Sequence, residues 1–403
     1  MLSEELVYPI TQKENEANTT AYVPCNHTHL LHPPRTICRF LKEAVCRGEF
    51  IIQYLVSCFR YICVQYFKHG GFMENGIVIY GIIEMNASLE AEIENVNRPG
   101  IPTVSPIKVK DIAAVISHKP AVTYNTLSTE QVMKDLAVHQ AVLEKVMEKF
   151  TVIPVKFGTM LESEDEVITL LEKGYMLLHN LLQERAGKIE LDIVAWWETQ
   201  EILPVISRQN KQVREKQQEI AQKGDTVSQQ DKVVLGQYIE QALQVEKERC
   251  QHLILQALQQ EAEDVCTHSL ADDQMVFNAA FLLARDHEAA FYQAIDALDE
   301  SLQGRLYFRI VGPLPTYSFS TIQIHKIDPD RVKTAREILG LPTKITTKTV
   351  HAAYHKRAKE IHPDKQGARE DSKEFQRIHE AYLTLKSFTE NGAIFPELYQ
   401  YRQ

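Results

Sequence analysis

A short loop near the C-terminal end, His362-Pro363-Asp364, combines side chains suited to recognising another protein. Pro363 fixes its own φ and stiffens the loop, Asp364 supplies an anionic acceptor, and His362 helps to hold the tip. The helix predicted before the loop has a basic outward face, which could steer the loop onto an acidic partner surface. Together with Lys365 after the loop, its cations are Lys348, Lys356, Arg357 and Lys359. The alternative is a plain helical hairpin whose tip happens to contain Pro-Asp.

Other groups that could do chemistry have ordinary structural explanations. An acidic cluster lies at a predicted helix start, where carboxylates complement the helix dipole. Its members are Glu162, Glu164, Asp165 and Glu166. Asp272-Asp273 is interpreted as an exposed turn, and Cys250 and Cys266 have no evident catalytic base. Because the sequence contains no P-loop, nucleophile elbow, dinucleotide fingerprint or His-Glu-x-x-His, we predict no enzyme, no cofactor and no metal.

The composition is that of an ordinary globular chain, with 403 residues of which 44% are hydrophobic and 24% charged. A formal net charge of −10 argues against a general nucleic-acid binder. Residues 343–387 nevertheless hold ten Lys/Arg against six Asp/Glu, which suggests separate partners for separate domains. The apolar run Phe50–Phe67 is shorter than the roughly 20 residues of a membrane span and contains Arg60, so no membrane segment is predicted.

Residues 1–72 differ from the rest and are interpreted as an extension. They hold five of the seven cysteines, none in a CxxC spacing, which indicates reduced cytosolic thiols. A Cys/His cluster there could ligate a metal, but a chance cluster in a disordered arm is the favoured interpretation. It consists of Cys25, His27, His29 and His32. Gly70-Gly71 shortly before Met73 suggests that Met73 is the natural start and that the preceding residues are an upstream translation artefact.

Residues 73–160 are predicted to form an α+β domain. Its strands are expected at Gly76–Ile83, within Ile107–Ile116 and at Thr151–Gly158. A helix with an apolar stripe should run from an N-cap at Ser128 or Thr129 to about Lys149. A short helix over Ala87–Asn95 would complete the order βαββαβ, the ferredoxin-like arrangement.

Residues 161–325 are predicted to form a second α+β domain that partly repeats the first. A helix at Ser163–Glu184 leads into an alternating strand with Ile189, Leu191 and Ile193 on one face. The later elements are expected to be a strand at Gln274–Arg285, a helix at His287–Leu302 and a strand at Gly304–Val311.

An insert in the second domain, residues 201–264, is rich in Gln, Glu and Lys and is predicted to form a helical hairpin broken at Gly224-Asp225. Its second arm has an apolar seam too irregular for a coiled coil. The seam comprises Val233, Tyr238, Ala242, Val245, Leu253, Leu255 and Leu258. Two interpretations stay open: a solvated excursion packed on the domain, and a partner-binding arm.

Residues 331–388 are predicted to form an all-α domain, followed by a tail at 389–403. Its helices are expected at Arg331–Leu339, Thr349–Ile361 and Glu370 to about Ser387. Asp330 is the expected cap of the first helix and Thr346 or Thr347 that of the second. The side chains expected to face the core are Val350, Ala353, Tyr354, Ala358, Phe375, Ile378, Tyr382 and Leu385.

The two α+β domains resemble the gas vesicle protein F/L family over roughly 245 residues, in an order and spacing that match it. The most specific stretch is Gly312-Pro313-Leu314-Pro315-Thr316-Tyr317-Ser318-Phe319. The other signature residues are Tyr80, Pro154, Phe157, Gly158, Trp196, Phe277 and Phe281. This resemblance implies a cytosolic accessory protein of gas vesicle assembly, which contacts the small hydrophobic shell protein and other accessory proteins and associates with the vesicle.

The all-α domain is similar to the J-domain, through Leu339-Gly340, the basic helix, His362-Pro363-Asp364-Lys365 and Ala381-Tyr382. The similarity implies a DnaK-type chaperone as partner, with the loop and the cations as docking residues. J-domains usually carry a tyrosine early in the first helix, where this chain has Ala335 and Arg336. That departure bears on the packing of the first helix rather than on the loop.

Taken together, these resemblances predict an adaptor that binds the hydrophobic shell protein and recruits a DnaK-type chaperone. The alternatives are a minor structural component of the gas vesicle shell and a general J-domain co-chaperone. The latter lacks support because the chain has no Gly/Phe-rich linker and no zinc-binding Cys repeats. The predicted location is cytoplasmic and vesicle-associated, with no nucleic-acid or membrane partner.

Overall fold

In the computed structural model the described residues are 76–85, 102–120, 128–360 and 370–399. The first domain contains an antiparallel sheet with the strand order β2-β3-β1-β4, and β5 also pairs with β1. Its elements are β1 (Gly76–Glu84), β2 (Ser105–Val109), β3 (Ile112–Lys119), α1 (Thr129–Met147), β4 (Val152–Pro154) and β5 (Met160–Leu161). The helix predicted at Ala87–Asn95 lies outside the described residues.

Both faces of this sheet are covered, which explains why β1 is apolar throughout. Ile77 and Ile79 face the helix α2 (Glu164–Arg185), whereas Val78 and Tyr80 face α1. The N-cap of α1 is Ser128, whose hydroxyl accepts from the Gln131 N–H, so the predicted helix start is confirmed. The sequence placed α2 after the boundary at residue 160, but α2 packs on the first sheet because its apolar stripe covers that face.

The second domain is built on a four-stranded antiparallel sheet with the order β7-β8-β6-β9. Its elements are β6 (Lys188–Trp196), β7 (Asp264–Thr267), β8 (Met275–Ala284), α6 (Glu288–Ser301) and β9 (Tyr307–Leu314). Phe281 of β8 and Phe291 of α6 pack edge to face, with ring centroids 5.1 Å apart. The core therefore lies between the sheet and the helices that cover one of its faces.

The insert contains three helices rather than two arms, because the first arm divides at Asn210. They are α3 (Thr199–Gln209), α4 (Lys211–Lys223) and α5 (Gln229–Leu258). Asn210 caps α4, and a single 3-10 turn at Gly224–Thr226 separates α4 from α5. Of the predicted seam of α5, Ala242 and Leu258 are buried against the second domain, whereas Val245 is 67% exposed. The helices of the insert pack on the second domain, but only part of the predicted apolar seam of α5 is buried in that contact.

The last three long helices lie between two strands that pair with each other. After the short helix α7 (Tyr317–Ser320), the order is β10 (Ile322–Lys326), α8 (Pro329–Leu339), α9 (Thr347–Glu360), α10 (Glu370–Asn391) and β11 (Ile394–Leu398). β10 and β11 are antiparallel, and Ile322 bridges to Val155 beside β4. The residues predicted as a tail thus include a strand that returns to the first domain.

The strand β11 is fastened to the first domain by close packing as well as by hydrogen bonds. Pro396 lies directly against Gly174 of α2, where a Cβ would overlap the proline ring. The Tyr399 N–H donates to the Thr321 carbonyl at 2.8 Å, and the Lys156 ammonium lies 4.7 Å from the Tyr399 ring centroid. Among the described residues no helix is long and apolar enough to cross a membrane.

Candidate functional site

The helix α9 presents a basic outward face. Lys348, Lys356, Arg357 and Lys359 are all exposed, and Arg357 lies 3.6 Å from Glu360. The helix begins where Thr346 and Thr349 exchange hydrogen bonds, since each backbone N–H donates to the hydroxyl of the other. Val350 anchors the opposite face in the domain core. The four cations that the sequence assigned to this helix are thus all exposed in the structure.

The core of the three-helix domain packs without a tyrosine in its first helix. Ala335 occupies that region and is 4% exposed, against Ile378 and Leu385 of α10. Tyr354 of α9 and Tyr382 of α10 stack with ring centroids 4.3 Å apart. Ala335 belongs to the apolar core of this domain, and the two tyrosines pack against that core.

Two details of this domain differ from the sequence prediction. The first helix is capped by Asp328, whose carboxylate accepts from the Asp330 N–H at 2.8 Å, and not by Asp330 itself. Pro329 at the first helical position favours this earlier start. The loop residues His362, Pro363, Asp364 and Lys365 lie outside the described residues, so their role as docking groups stays a prediction.

The Gly312–Phe319 segment, predicted as a turn, comprises the end of β9, the connection Pro315–Thr316 and the start of α7, and it lies between the two α+β domains. Gly312 has φ of +147° and precedes a cis peptide bond to Pro313, and a Cβ there would lie 2.5 Å from Leu191 Cδ2. Only glycine fits so close to β6 with that backbone conformation. The turn ends in α7, where the Thr316 and Ser320 hydroxyls hydrogen-bond to each other.

Side chains of this turn contact both domains. The Tyr317 hydroxyl donates to Gln140 Oε1 of α1 at 2.5 Å. The Ser318 N–H donates to Glu190 Oε2 of β6 at 2.8 Å, and its hydroxyl donates to Glu190 Oε1 at 2.9 Å. His268 Nε2 lies 3.4 Å from the same Ser318 hydroxyl. We name Gly312–Phe319 the junction turn, because its hydrogen bonds join the two domains.

The junction turn binds one of two neighbouring buried carboxyl groups that the sequence analysis did not single out. Glu190 and Asp192 occupy the face of β6 opposite Ile189 and Leu191, and both are buried. Burial raises the pKa of Glu190 well above its usual range, and the charge of Asp192 raises it further. Burial also raises the pKa of Asp192 to about 7, although a hydrogen bond from Glu190 and the charge of Arg309 oppose the shift. The signal for this pair in the sequence was two acidic residues, two positions apart, in an otherwise apolar strand.

The remaining signature residues belong to cores and turns. Tyr80 is buried, with its hydroxyl 2.9 Å from the Ser117 hydroxyl, and His139 packs between the rings of Tyr80 and Phe157. Burial lowers the pKa of His139 to about 4, so this histidine is neutral. Gly158 is needed for a positive φ of 83°.

Three signature residues, Phe277, Phe281 and Trp196, lie in strands of the second domain, whereas Pro154 lies in the first domain. Phe277 and Phe281 stack 6.2 Å apart on β8, and Trp196 stacks 5.9 Å from Tyr307. Pro154 lies in β4 opposite Gly81, where Gly81 leaves room for the neighbouring strand. The contacts of these signature residues are therefore packing contacts and the hydrogen bonds of the junction turn.

The fold defines a class of protein: two antiparallel-sheet α+β domains joined by the junction turn, with a three-helix domain inserted between the last two strands, β10 and β11. Comparison with known proteins agrees. Residues 76–321 match the family described as gas vesicle synthesis protein GvpL/GvpF, and residues 336–391 match the DnaJ domain.

Relatives and a solved structure extend the match. Gas vesicle protein F of Nostoc sp. is 27% identical over 192 residues, covering 47% of this chain and 78% of that protein. Gas vesicle protein F of a Streptomyces sp. is 27% identical over 242 residues, covering 60% and 98%. The crystal structure of GvpF from Anabaena sp. superposes with a TM-score of 0.50 at 24% identity, over 60% of this chain and 97% of that one. The chain belongs to the GvpL/GvpF family and carries a C-terminal J-domain.

Proposed function

We propose that this protein is an adaptor of gas vesicle assembly, without catalytic activity of its own. Its two α+β domains bind the hydrophobic shell protein, and its J-domain recruits a DnaK-type chaperone in the cytoplasm. Membership of the GvpL/GvpF family supports the first part, and the DnaJ match with the exposed cations of α9 supports the second. A basic helix face suits an acidic surface of a chaperone because opposite charges speed encounter.

The single observation that carries the adaptor proposal is the return of β11 to β10. The Ile327 N–H donates to the Ala393 carbonyl at 2.8 Å, so the two ends of the J-domain are hydrogen-bonded to each other beside the first domain. A chaperone docked on α9 is thereby held near a client on the α+β domains, which raises its effective concentration without new contacts.

The chaperone half of the proposal is tested by steady-state ATPase assays with a DnaK-type chaperone and the full chain. The wild-type chain should stimulate the ATPase, and His362→Gln should abolish that stimulation. His252→Gln is the matched control, because His252 is exposed on α5 in the second domain. If the wild-type chain does not stimulate the ATPase, chaperone recruitment is contradicted. It is also contradicted if His362→Gln stimulates the ATPase as strongly as His252→Gln does.

The client half is tested by crosslinking the full chain to shell protein and mapping the crosslinked residues. Crosslinks should fall on the α+β domains, and a pattern confined to the J-domain contradicts the proposed client surface. Quantifying the protein in purified vesicles distinguishes a structural component of the shell from a transient adaptor. A stoichiometric presence in finished vesicles would support that alternative over a transient adaptor.

We also propose the ferredoxin-like arrangement for the first domain. It is supported by the strand order β2-β3-β1-β4 with antiparallel pairing throughout, and by α1 between β3 and β4. In the ferredoxin-like fold a second helix connects β1 and β2. Helical chemical shifts across residues 87–95 in an NMR spectrum would support it, and extended shifts there would exclude it.

A further inference from the structure

A basic cleft lies where the two α+β domains meet the junction turn. It has a volume of about 280 Å³ and is open to solvent. Four of its lining residues are cationic, namely Lys149, Arg185, Lys188 and Arg285. Pro315 and Thr316 of the junction turn form another part of its wall. The described J-domain residues do not line it, and the only signature-stretch residues in its described lining are Pro315 and Thr316.

The four cations come from four different segments. Lys149 follows α1, Arg185 ends α2, Lys188 begins β6, and Arg285 follows β8. The chain thus converges on this cleft from both domains and places like charges around one cavity. Like charges that share a concave surface repel one another, and a bound anion relieves that repulsion.

Neighbouring carboxylates leave the cleft positive. Glu148 is the one acidic residue among the described lining residues, and it pairs with Lys145 outside the cleft. Glu184 lies 3.7 Å from Arg185, and Glu263 pairs with Lys188 from the side of β7. Since Glu148 is the one acidic group against four cationic groups in the described lining, the cleft carries more positive than negative groups.

Arg185 supplies an independent indication of a missing acceptor. Its side chain is 17% exposed, and its buried Nε–H has no hydrogen-bond partner within the described part of the chain. A buried donor without an acceptor is destabilising and uncommon in folded proteins. An oxyanion in the cleft could approach this guanidinium and provide acceptor oxygens, which planar arginine donors match well.

We propose that this cleft is an anion-binding site for an acidic segment of a partner protein, held through its side-chain carboxylates. The volume accommodates the acidic side chains of a short peptide stretch rather than a folded domain. Because Thr316 and Pro315 belong to the turn that joins the domains, a bound segment contacts both domains at once. Binding should therefore raise the midpoint of thermal unfolding of the full chain.

The test uses a fluorescein-labelled hexaglutamate peptide and its hexaglutamine counterpart, with the full chain, in a fluorescence anisotropy titration. Hexaglutamate should bind at least about tenfold more tightly than hexaglutamine, and its affinity should fall as NaCl is added. Arg285→Glu and Lys149→Glu, two exposed positions, should each weaken hexaglutamate binding by about tenfold or more. Lys232→Glu on α5 is the matched charge reversal outside the cleft and should leave binding unchanged.

Inorganic phosphate is the competitor that identifies the source of the oxyanion. If hexaglutamate resists displacement by phosphate, the site recognises peptide carboxylates, as proposed. If phosphate displaces the peptide and itself raises the thermal midpoint of the wild type but not of Arg285→Glu, the cleft binds anions but its ligand is a phosphate, and the peptide assignment is overturned. Equal binding of both peptides, or equal affinity of the cleft variants and Lys232→Glu at unchanged circular dichroism, overturns the site altogether.

Discussion

Asp192 of β6 carries a buried carboxyl group beside that of Glu190, and the substitution Asp192→Asn measures what its burial does to folding. Asp192 is 9% exposed, and burial raises its pKa to about 7 from 3.8. Between about pH 4 and pH 7 the folded protein therefore keeps a proton on Asp192 that the unfolded chain has lost. The free energy of unfolding must fall as pH rises through this window, because the folded state binds more protons there.

The size of the effect follows from the shift. One pKa unit corresponds to about 1.4 kcal/mol, so a shift of about three units makes ionised Asp192 cost up to about 4 kcal/mol at neutral pH. An asparagine at this position has no proton to lose. Relative to wild type, Asp192→Asn should gain about 1.4 kcal/mol of stability per pH unit between about pH 4 and pH 7. The substitution also removes the charge that raises the pKa of Glu190, so Glu190 contributes to the gain in the same direction, and changed packing adds an offset that does not vary with pH.

Urea unfolding followed by circular dichroism, repeated from about pH 4 to pH 8, provides the assay. The difference in unfolding free energy between Asp192→Asn and wild type should rise through this range. Asp286→Asn, an exposed carboxyl position in the same domain, should run parallel to wild type. A constant difference for Asp192→Asn would refute the assignment of a buried, proton-retaining carboxyl group.

Three further substitutions test the contacts that hold the architecture and the proposed chaperone face. Gly312→Ala should destabilise the protein by roughly 2 to 4 kcal/mol in urea unfolding, because its Cβ would lie 2.8 Å from a β6 carbonyl oxygen at a positive φ. Gly174→Ala should displace Pro396 and speed hydrogen exchange of the β11 amides without unfolding the J-domain. The double charge reversal Lys356→Glu with Arg357→Glu should reduce ATPase stimulation by about tenfold or more at low salt, and the reduction should shrink as NaCl is added.

Matched controls separate these effects from general damage. Gly236→Ala places a Cβ in open space on α5 and should leave stability unchanged or slightly higher. Lys333→Glu reverses an exposed charge on α8, away from the basic face of α9, and should leave ATPase stimulation near the wild-type level. If Gly236→Ala lowers stability as much as Gly312→Ala does, the proposed contact of Gly312 is contradicted. If Lys333→Glu lowers ATPase stimulation as much as the double charge reversal does, the proposed chaperone face is contradicted.

Elements with strong local patterns were predictable from the sequence. The run from Gly76 is a strand because an uninterrupted apolar segment suits a sheet covered on both sides, and α10 begins at Glu370 as expected. The seam of α5 was less predictable. Val245 follows the helical spacing of its apolar neighbours but is exposed, since the insert contacts the domain along only part of that stripe.

The pair β10 and β11 could not be predicted because neither strand has a strong local signal. β11 is five residues long and contains Pro396, which usually argues against a strand away from an edge. Its partner lies about seventy residues earlier, beyond the reach of any periodicity argument. The buried carboxyl pair was missed for a similar reason. Alternation along β6 shows that Glu190 and Asp192 share a face, but only the junction turn reveals that this face is covered.

The returning strand changes what the J-domain can do for this protein. A J-domain on a flexible terminal linker would sample many positions, and its effective concentration at a client would fall with linker length. Here β10 enters the helices and β11 leaves them as a hydrogen-bonded pair, and Pro396 packs on the same helix, α2, that covers the first sheet. Detaching the J-domain therefore requires breaking strand pairing and an apolar contact together, not merely extending a linker. It follows that α9 is presented from a defined place beside the α+β domains, which is the arrangement that the proposed adaptor requires of a chaperone and its client.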